Sequence, residues 1–223
     1  PNVIQLHVFA YLFLIPYLFL TYQATGKAFF WANVGGEILY WKTSPYKGEF
    51  GEWYQGAIIR KQEKIISLDS CGIEQLFANH SPYFEEMYQY GPLERNEKFN
   101  KKAKEQLSKY PEAYAKNTVA SFSRLFFNFP FSYTYQKLST LGFILSNMFF
   151  IVLCSLGLVL IPFRIKFIPS YIWLILAFGL AYIAGISLLN GMVRHLIPVI
   201  PVMTVFIAYT YGRLLEIKWS LGT

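Results

Sequence analysis

An arginine and a histidine that stand directly before an apolar run have the clearest chemical potential in this sequence. Arg194 and His195 open the stretch "RHLIPVIPV" near the end of the chain. A guanidinium can hold two phosphate oxygens at once, and an arginine at the mouth of a membrane span is tolerated when it faces a polar cavity or a phosphate head group. Arg194 is therefore a candidate anion ligand, and the alternative is a side chain that snorkels to the interface. His195 could donate a proton or contact the phosphate, and the alternative is a locally hydrogen-bonded interfacial residue.

Three carboxylates are further candidates for chemistry. Glu37 lies in "GGEILY", and Glu49 and Glu52 lie in "GEFGEWY". Each could act as a general base or bind a divalent metal, and the alternative for each is a solvated surface carboxylate. The sequence has no phosphate-binding loop of Walker type, no H-E-x-x-H and no cysteine pair at zinc spacing, so no other motif competes with these residues.

The composition is that of a membrane protein. The chain has 223 residues, of which 54% are hydrophobic and 19% aromatic, and its mean hydropathy is +0.32. These values exclude an ordinary soluble domain. The net charge of +7 is spread among acids and apolar runs, which favours contact with anionic lipid or phosphate over nucleic acid. Cys71 and Cys154 lie in different kinds of segment and predict no disulfide between them.

Four apolar segments are candidates for helices that cross a bilayer. They cover residues 3–22, 143–163, 168–189 and 196–211. The sequence therefore predicts an all-α polytopic membrane protein with about four transmembrane helices. It divides into a first span at 1–22, a loop domain at 23–142, three spans within 143–212 and a tail at 213–223.

Positive charges predict the orientation. Arg164 and Lys166 lie between the second and third spans, and Arg213 and Lys218 follow the fourth span. Short basic connectors mark the cytoplasmic side, so both termini are expected there. The loop domain at 23–142 and the start of the fourth span are then extracytoplasmic.

The loop domain is expected to be ordered and rich in helices. Glycines and Ser44–Pro45 punctuate its first part, which predicts loops with one or two short strands or turns. Phe99, Ala103 and Leu107 are spaced four apart, which predicts an amphipathic helix ending near Tyr110.

A second helix is predicted to start at Pro111, a residue that suits the first turn of a helix. It should carry Tyr114, Val119, Phe122 and Phe126 towards the membrane. Its aromatic end has the composition of an interfacial belt.

Three elements of the chain resemble a family of membrane glycosyltransferases. The run from Arg194 to Pro201 is similar to the "R-Y/H-x-x-P-x-x-P" element of GT-C enzymes of the protein O-mannosyltransferase and lipid A aminoarabinose transferase type. Ala103, Leu107, Pro111 and Tyr114 match an extracytoplasmic helix-pair pattern of that family, and "NVGGEILYW" is similar to the turn that opens its loop. The three elements occur in the family's order.

The resemblance implies transfer of a sugar from a polyprenyl-phosphate carrier to an extracytoplasmic acceptor. It implies that Arg194 holds the carrier phosphate, with His195 and Lys47 as further contacts. Neutralising the departing phosphate would be electrostatic stabilisation of the transition state. Lys47 could instead be a solvated loop lysine. The resemblance names no certain cofactor, and a divalent metal stays open.

Three tyrosines of the loop domain are candidates for lining a sugar or lipid cavity, namely Tyr40, Tyr46 and Tyr54. The alternative is that they pack in the core of the domain.

The chain departs from the family in its acidic residues. Family members carry a base in an N-terminal half that has no counterpart here, and the sole aspartate, Asp69, lies in a different context. The chain begins at proline, so we expect it to be a C-terminal piece of a longer protein. The rival hypothesis is a non-catalytic membrane subunit or scaffold that kept the architecture and docks on a partner through its aromatic loop.

Overall fold

The structure is helical throughout the residues that it describes. The computed structural model describes residues 3–27, 30, 33–61, 70–127, 138–164 and 169–214, and these ranges contain no strand. The α-helices are α1 (Val3–Thr25), α2 (Gly35–Lys42), α3 (Gly56–Lys61), α4 (Ser70–Met87), α5 (Pro92–Lys109), α6 (Pro111–Phe127), α7 (Leu138–Arg164), α8 (Ser170–Leu189) and α9 (Ile200–Leu214). A 3₁₀ segment, Val193–Val199, leads into α9.

Three stretches are long and apolar enough to cross a membrane. They are Val8–Thr25 in α1, Ser170–Leu189, which is the whole of α8, and Val193–Gly212, which joins the 3₁₀ segment to α9. These three confirm the first, third and fourth predicted spans as candidates. The apolar part of α7 is shorter, Ile144–Val159, so a fourth crossing stays a prediction.

The helices α7, α8 and α9 pack together through small and branched side chains. Ile172 and Phe206 form a buried contact, and Gly179 lies against Val202, where an added Cβ would come within 2.8 Å of a methyl carbon. Close approach at small residues is typical of helices packed in lipid. By contrast, none of the residues Val8–Thr25 of α1 is buried. Their apolar side chains therefore require contact with lipid or with another helix.

The end of α6 reaches into this bundle. Leu125 and Phe126 are buried against Ile183, which lies well inside α8. Val119 and Phe122 stay 65% and 49% exposed on another face of α6. That pattern agrees with the predicted approach of this helix to the membrane, although Phe126 packs inside the bundle rather than facing outwards.

The loop domain is built on a parallel pair of helices, α2 and α5. The Gly36 amide donates to Asn96 Oδ1 at 2.7 Å near the two starts, and Thr43 Oγ1 donates to Gln106 Oε1 at 3.0 Å near the two ends. A Cβ on Gly36 would collide with the Asn96 carbonyl oxygen, so glycine allows the close crossing.

The core of the domain is aromatic. Its fully buried members come from α2, α3, α4 and α5, and they are Tyr40, Trp41, Ile59, Leu76, Phe84, Met87, Phe99 and Ala103.

The helix pair predicted around Pro111 is confirmed. Phe99 and Ala103 are buried and Leu107 is half-buried, α5 ends at Lys109, and α6 begins at Pro111. The prediction of loops with one or two short strands or turns in the first part of the domain is corrected, because Gly35–Lys42 and Gly56–Lys61 form helices. Packing overrode the local turn chemistry in both, against α5 for the first helix and against α4 for the second. Gly48 does lie in a turn, with φ at +88°.

Several sequence predictions fall on residues outside the described ranges. Asp69, Lys166 and Lys218 are among them. The orientation that the basic connectors indicate, and the cytoplasmic tail, therefore stay predictions.

Candidate functional site

Arg194 lies in the 3₁₀ segment that opens the last candidate span, and its side chain is exposed. The backbone amide of His195 donates to Met192 O at 2.8 Å, which closes the first turn of the segment. The His195 ring is half-buried, and its Nδ1 donates to Asn190 O at 2.9 Å. This bond is of the local kind considered for an interfacial histidine, and it leaves Nε2 as the acceptor of the neutral ring.

Two side chains of the loop domain bind the last turn of α8. Lys42 Nζ donates to Ser187 O at 2.7 Å, and Tyr114 Oη donates to Leu188 O at 3.0 Å. The last four carbonyl groups of a helix have no partner inside the helix, so such donors satisfy them. The domain is thereby fixed to the end of a candidate span.

A third bond continues this attachment beyond the helix end. The Gly191 amide donates to Ser121 Oγ of α6 at 2.6 Å. A Cβ on Gly191 would collide with the Ser121 carbonyl oxygen, so the backbone passes α6 at a distance that only glycine allows. Because Gly191 lies three residues before Arg194, the loop domain holds the start of the segment that presents the guanidinium.

Lys42 is a buried lysine that the sequence interpretation missed. It is 0% exposed, and its Nζ also donates to Asn117 O at 2.9 Å, while Asn117 Nδ2 donates back to Lys42 O at 3.0 Å. Burial, together with the charge of the nearby Arg124, lowers the pKa of Lys42 from its ordinary value to about 6. Arg124 is itself 0% exposed and donates to Phe50 O at 2.9 Å. The local signal for Lys42 was a cation inside the aromatic run "LYWKT".

Glu49 is the centre of a closed polar network. His80 Nε2 lies 2.9 Å from both carboxylate oxygens, Asn79 Nδ2 donates to Oε1 at 2.9 Å, and Ser44 Oγ donates to Oε2. Tyr40 Oη lies 2.8 Å from His80 Nδ1 on the other side of the ring. Burial acts to raise the pKa of Glu49. The hydrogen bonds from His80, Ser44 and Asn79 and the charge of His80 outweigh burial, so the pKa lies below its ordinary value.

Glu37 has a different environment. The Gly56 amide donates to its Oε1 at 3.2 Å, which satisfies the first turn of α3, and Tyr88 Oη donates to Oε2 at 3.4 Å. Burial raises the pKa of Glu37 above its ordinary value despite these bonds. Such a shift suits a general base, whereas the shift of Glu49 does not.

The solvated-carboxylate alternative was wrong for all three acids. Glu37, Glu49 and Glu52 are 5%, 4% and 7% exposed. The sequence interpretation lacked the long-range contacts, since the aromatic core closes over them only in the folded domain.

The three candidate tyrosines occupy different positions. Tyr40 is 2% exposed in the aromatic core, Tyr54 packs partly buried against that core, and Tyr46 is 37% exposed with its ring 5.2 Å from that of His80. The packing alternative therefore describes Tyr40, and Tyr46 is the one of the three with an open face. Lys47 beside it is exposed, in agreement with a solvated lysine.

The structure brings some predicted site residues together and leaves others apart. Tyr40, Tyr46 and Glu49 meet at His80. Within the described ranges, no hydrogen bond or ion pair joins Arg194 or Lys47 to any of the three carboxylates. In the same ranges, no group of three or more His, Cys, Asp or Glu side chains could hold a metal ion.

A small, half-open apolar cavity lies among α7, α8 and α9, where the end of α6 contributes one lining residue. Its volume is about 130 Å³, and its lining includes Phe126, Cys154, Gly179, Val199 and Phe206. Val199 belongs to the same 3₁₀ segment as Arg194. One short segment therefore carries the guanidinium and contributes to the lining of the cavity.

A scan against protein-family models found no match, and searches of curated proteins and of solved structures likewise found none.

Proposed function

We propose that this chain is part of an integral-membrane glycosyltransferase that moves a sugar from a polyprenyl-phosphate carrier to an acceptor on the side of the loop domain. The proposal rests on the family resemblance of three sequence elements and on how those elements are arranged. The α5–α6 pair, the start of α2 and the segment around Arg194 all belong to one packed unit.

The observation that carries the proposal is the exposed guanidinium of Arg194 on an anchored segment. Ser121 fixes the chain at Gly191, and Lys42 and Tyr114 fix the end of α8. A cation held at the start of a candidate span is suited to a phosphate at the surface of the bilayer, because its position needs no further ordering when the ligand binds.

The apolar cavity supports the same ligand chemistry. It is open on one side and lined by apolar side chains of the candidate spans. A polyprenyl chain is a branched hydrocarbon that could place a first isoprene unit there while its phosphate reaches Arg194.

The buried carboxylates bear on whether this chain also holds a catalytic base. Glu37 is the best placed by pKa, but its oxygens bond to Gly56 and Tyr88 inside the domain. Because these internal bonds occupy its oxygens, Glu37 favours the rival function, in which this chain is a non-catalytic subunit.

The test is equilibrium binding of a polyprenyl-phosphate sugar to the protein in nanodiscs. We expect Arg194→Ala to weaken binding by about 10- to 100-fold, since a hydrogen bond to a charged group contributes about 1.5–3 kcal/mol. The control is Lys98→Ala, which removes a cation that pairs with Glu94 on α5. Equal affinity of the parent and Arg194→Ala would overturn the assignment.

A further inference from the structure

The charges on α5 are distributed unevenly along the helix. In its first half, Glu94 and Glu97 balance Arg95 and Lys98. The second half contains four lysines and one glutamate, namely Lys101, Lys102, Lys104, Lys109 and Glu105.

The basic half of α5 is the half that lies closer to the membrane. The helices α2 and α5 are parallel, and Thr43, at the end of α2, bonds to Gln106. The neighbouring Lys42 bonds to Ser187 in the last turn of the candidate span α8. The C-terminal turns of α5 therefore lie at the level where a span leaves the bilayer.

These lysines are open to solvent. Lys101 and Lys104 are exposed on the face opposite the buried Phe99 and Ala103, and neither is in an ion pair within the described part of the chain. The one glutamate of this half, Glu105, lies 4.0 Å from Lys102.

Helix electrostatics explain only part of this pattern. The macrodipole favours cations in the last turn, which accounts for Lys109. It does not account for Lys101, Lys102 and Lys104, which lie in earlier turns. The Lys109 ammonium lies 5.2 Å from the centre of the Tyr110 ring, and tyrosine is a residue typical of the bilayer interface.

We propose that the C-terminal half of α5 docks on anionic phospholipid head groups of the leaflet next to the loop domain. Lys104 and Lys109 are about 7.5 Å apart along the helix axis at 1.5 Å per residue. When Lys109 is at the leaflet, Lys104 therefore lies no more than about 7.5 Å further from it along the axis. That distance is within the Debye length of about 8 Å at physiological ionic strength, so both ammonium groups experience the surface potential of an anionic leaflet. The contact would add to the Lys42 and Tyr114 bonds in setting the tilt of the domain.

The experiment measures local lipid enrichment around α5 of the whole chain. A fluorescent amino acid replaces Ser108, an exposed residue between the two lysines, and the protein is placed in nanodiscs of phosphatidylcholine and phosphatidylglycerol. Energy transfer to chain-labelled phosphatidylglycerol is compared with transfer to chain-labelled phosphatidylcholine. The variant is K104Q/K109Q, and the charge-matched control is K61Q/K98Q, which changes lysines of α3 and of the first half of α5.

We expect the anionic lipid to be enriched in the parent and in K61Q/K98Q. Each lysine at an anionic surface contributes about a fivefold change in association, so K104Q/K109Q should lower the ratio of anionic to neutral lipid by up to about 25-fold, towards 1. An unchanged ratio in K104Q/K109Q, or an equal loss in the control, would overturn the proposal. So would a parent that shows no lipid preference but binds soluble polyphosphate in phosphatidylcholine nanodiscs, because the partner would then be a soluble polyanion.

Discussion

The buried amine of Lys42 gives a pH-dependent prediction that can be worked out from the structure. Replacing Lys42 with methionine removes the titrating group and keeps an unbranched chain of similar length. It also leaves the carbonyl oxygens of Asn117 and Ser187 without the donor that now binds them. Each unsatisfied buried acceptor costs about 1–3 kcal/mol, so this loss is about 2–6 kcal/mol.

The opposing effect is the proton that Lys42 must lose on folding. Its pKa is about 6 in the folded domain against 10.5 ordinarily. Between these values the unfolded state binds one more proton than the folded state, so the stability of the parent rises with pH by about 1.4 kcal/mol per unit. At pH 7 the cost of deprotonation is then about 5 kcal/mol.

The two effects predict a change of sign. K42M should be as stable as the parent or more stable near pH 6, and less stable than the parent at pH 9. The free energy of unfolding is measured between pH 6 and 9 by SDS titration of the protein in mixed micelles, followed by tryptophan fluorescence. Lys98→Met is the control, since the partly exposed side chain of Lys98 should leave the parent's pH dependence unchanged. Parallel curves for the parent and K42M would refute the reasoning, because they would mean that Lys42 stays protonated in the fold.

Three further changes test the packing around the site, each by the same unfolding measurement, which is extended below pH 4 for the parent and the Glu49 variant. Glu49→Gln breaks a buried pair with His80, so we expect a loss of about 3–5 kcal/mol. Because the pKa of Glu49 is lowered in the fold, the parent gains stability from this carboxylate above pH 4.5 and loses it as the pH falls below that value. Glu49→Gln should remove this pH dependence. A variant whose stability falls with acid as the parent's does would contradict the network. Gly36→Ala should cost about 1–3 kcal/mol because the added Cβ clashes with α5. Gly35→Ala is the control and should be neutral or stabilising, since a Cβ there meets nothing within 4 Å. Equal effects of the two substitutions would contradict the close crossing of α2 and α5. Tyr114→Phe should cost about 1 kcal/mol through the lost bond to α8, and no loss would mean that this bond does not stabilise the docked domain.

The parts of the fold that the sequence predicted correctly depend on local signals. The boundary at Tyr110 and Pro111 follows from the backbone restrictions that proline imposes, and the buried face of α5 follows from spacing alone. The three candidate spans follow from length and apolar content.

The parts that it did not predict depend on contacts between distant residues. α2 is a helix because it packs along α5, 60 residues further along the chain at the Gly36–Asn96 bond. Lys42 is buried by Asn117, 75 residues away, and Ser187, 145 residues away. No local pattern specifies such partners, which is why the buried amine of Lys42 and the pairing of Glu49 with His80 emerged only from the structure.

The most direct test of the proposed function is turnover of the carrier by membranes that contain the intact native protein. Labelled polyprenyl-phosphate sugar is supplied together with native membranes as the source of acceptor, and release of polyprenyl phosphate is followed over time. We predict release that depends on the protein and that falls by about 100-fold in Arg194→Ala, the loss typical when one donor to a developing oxyanion is removed. Release at the parental rate in Arg194→Ala, or binding of the carrier without any release, would contradict the account of this chain as part of a glycosyltransferase.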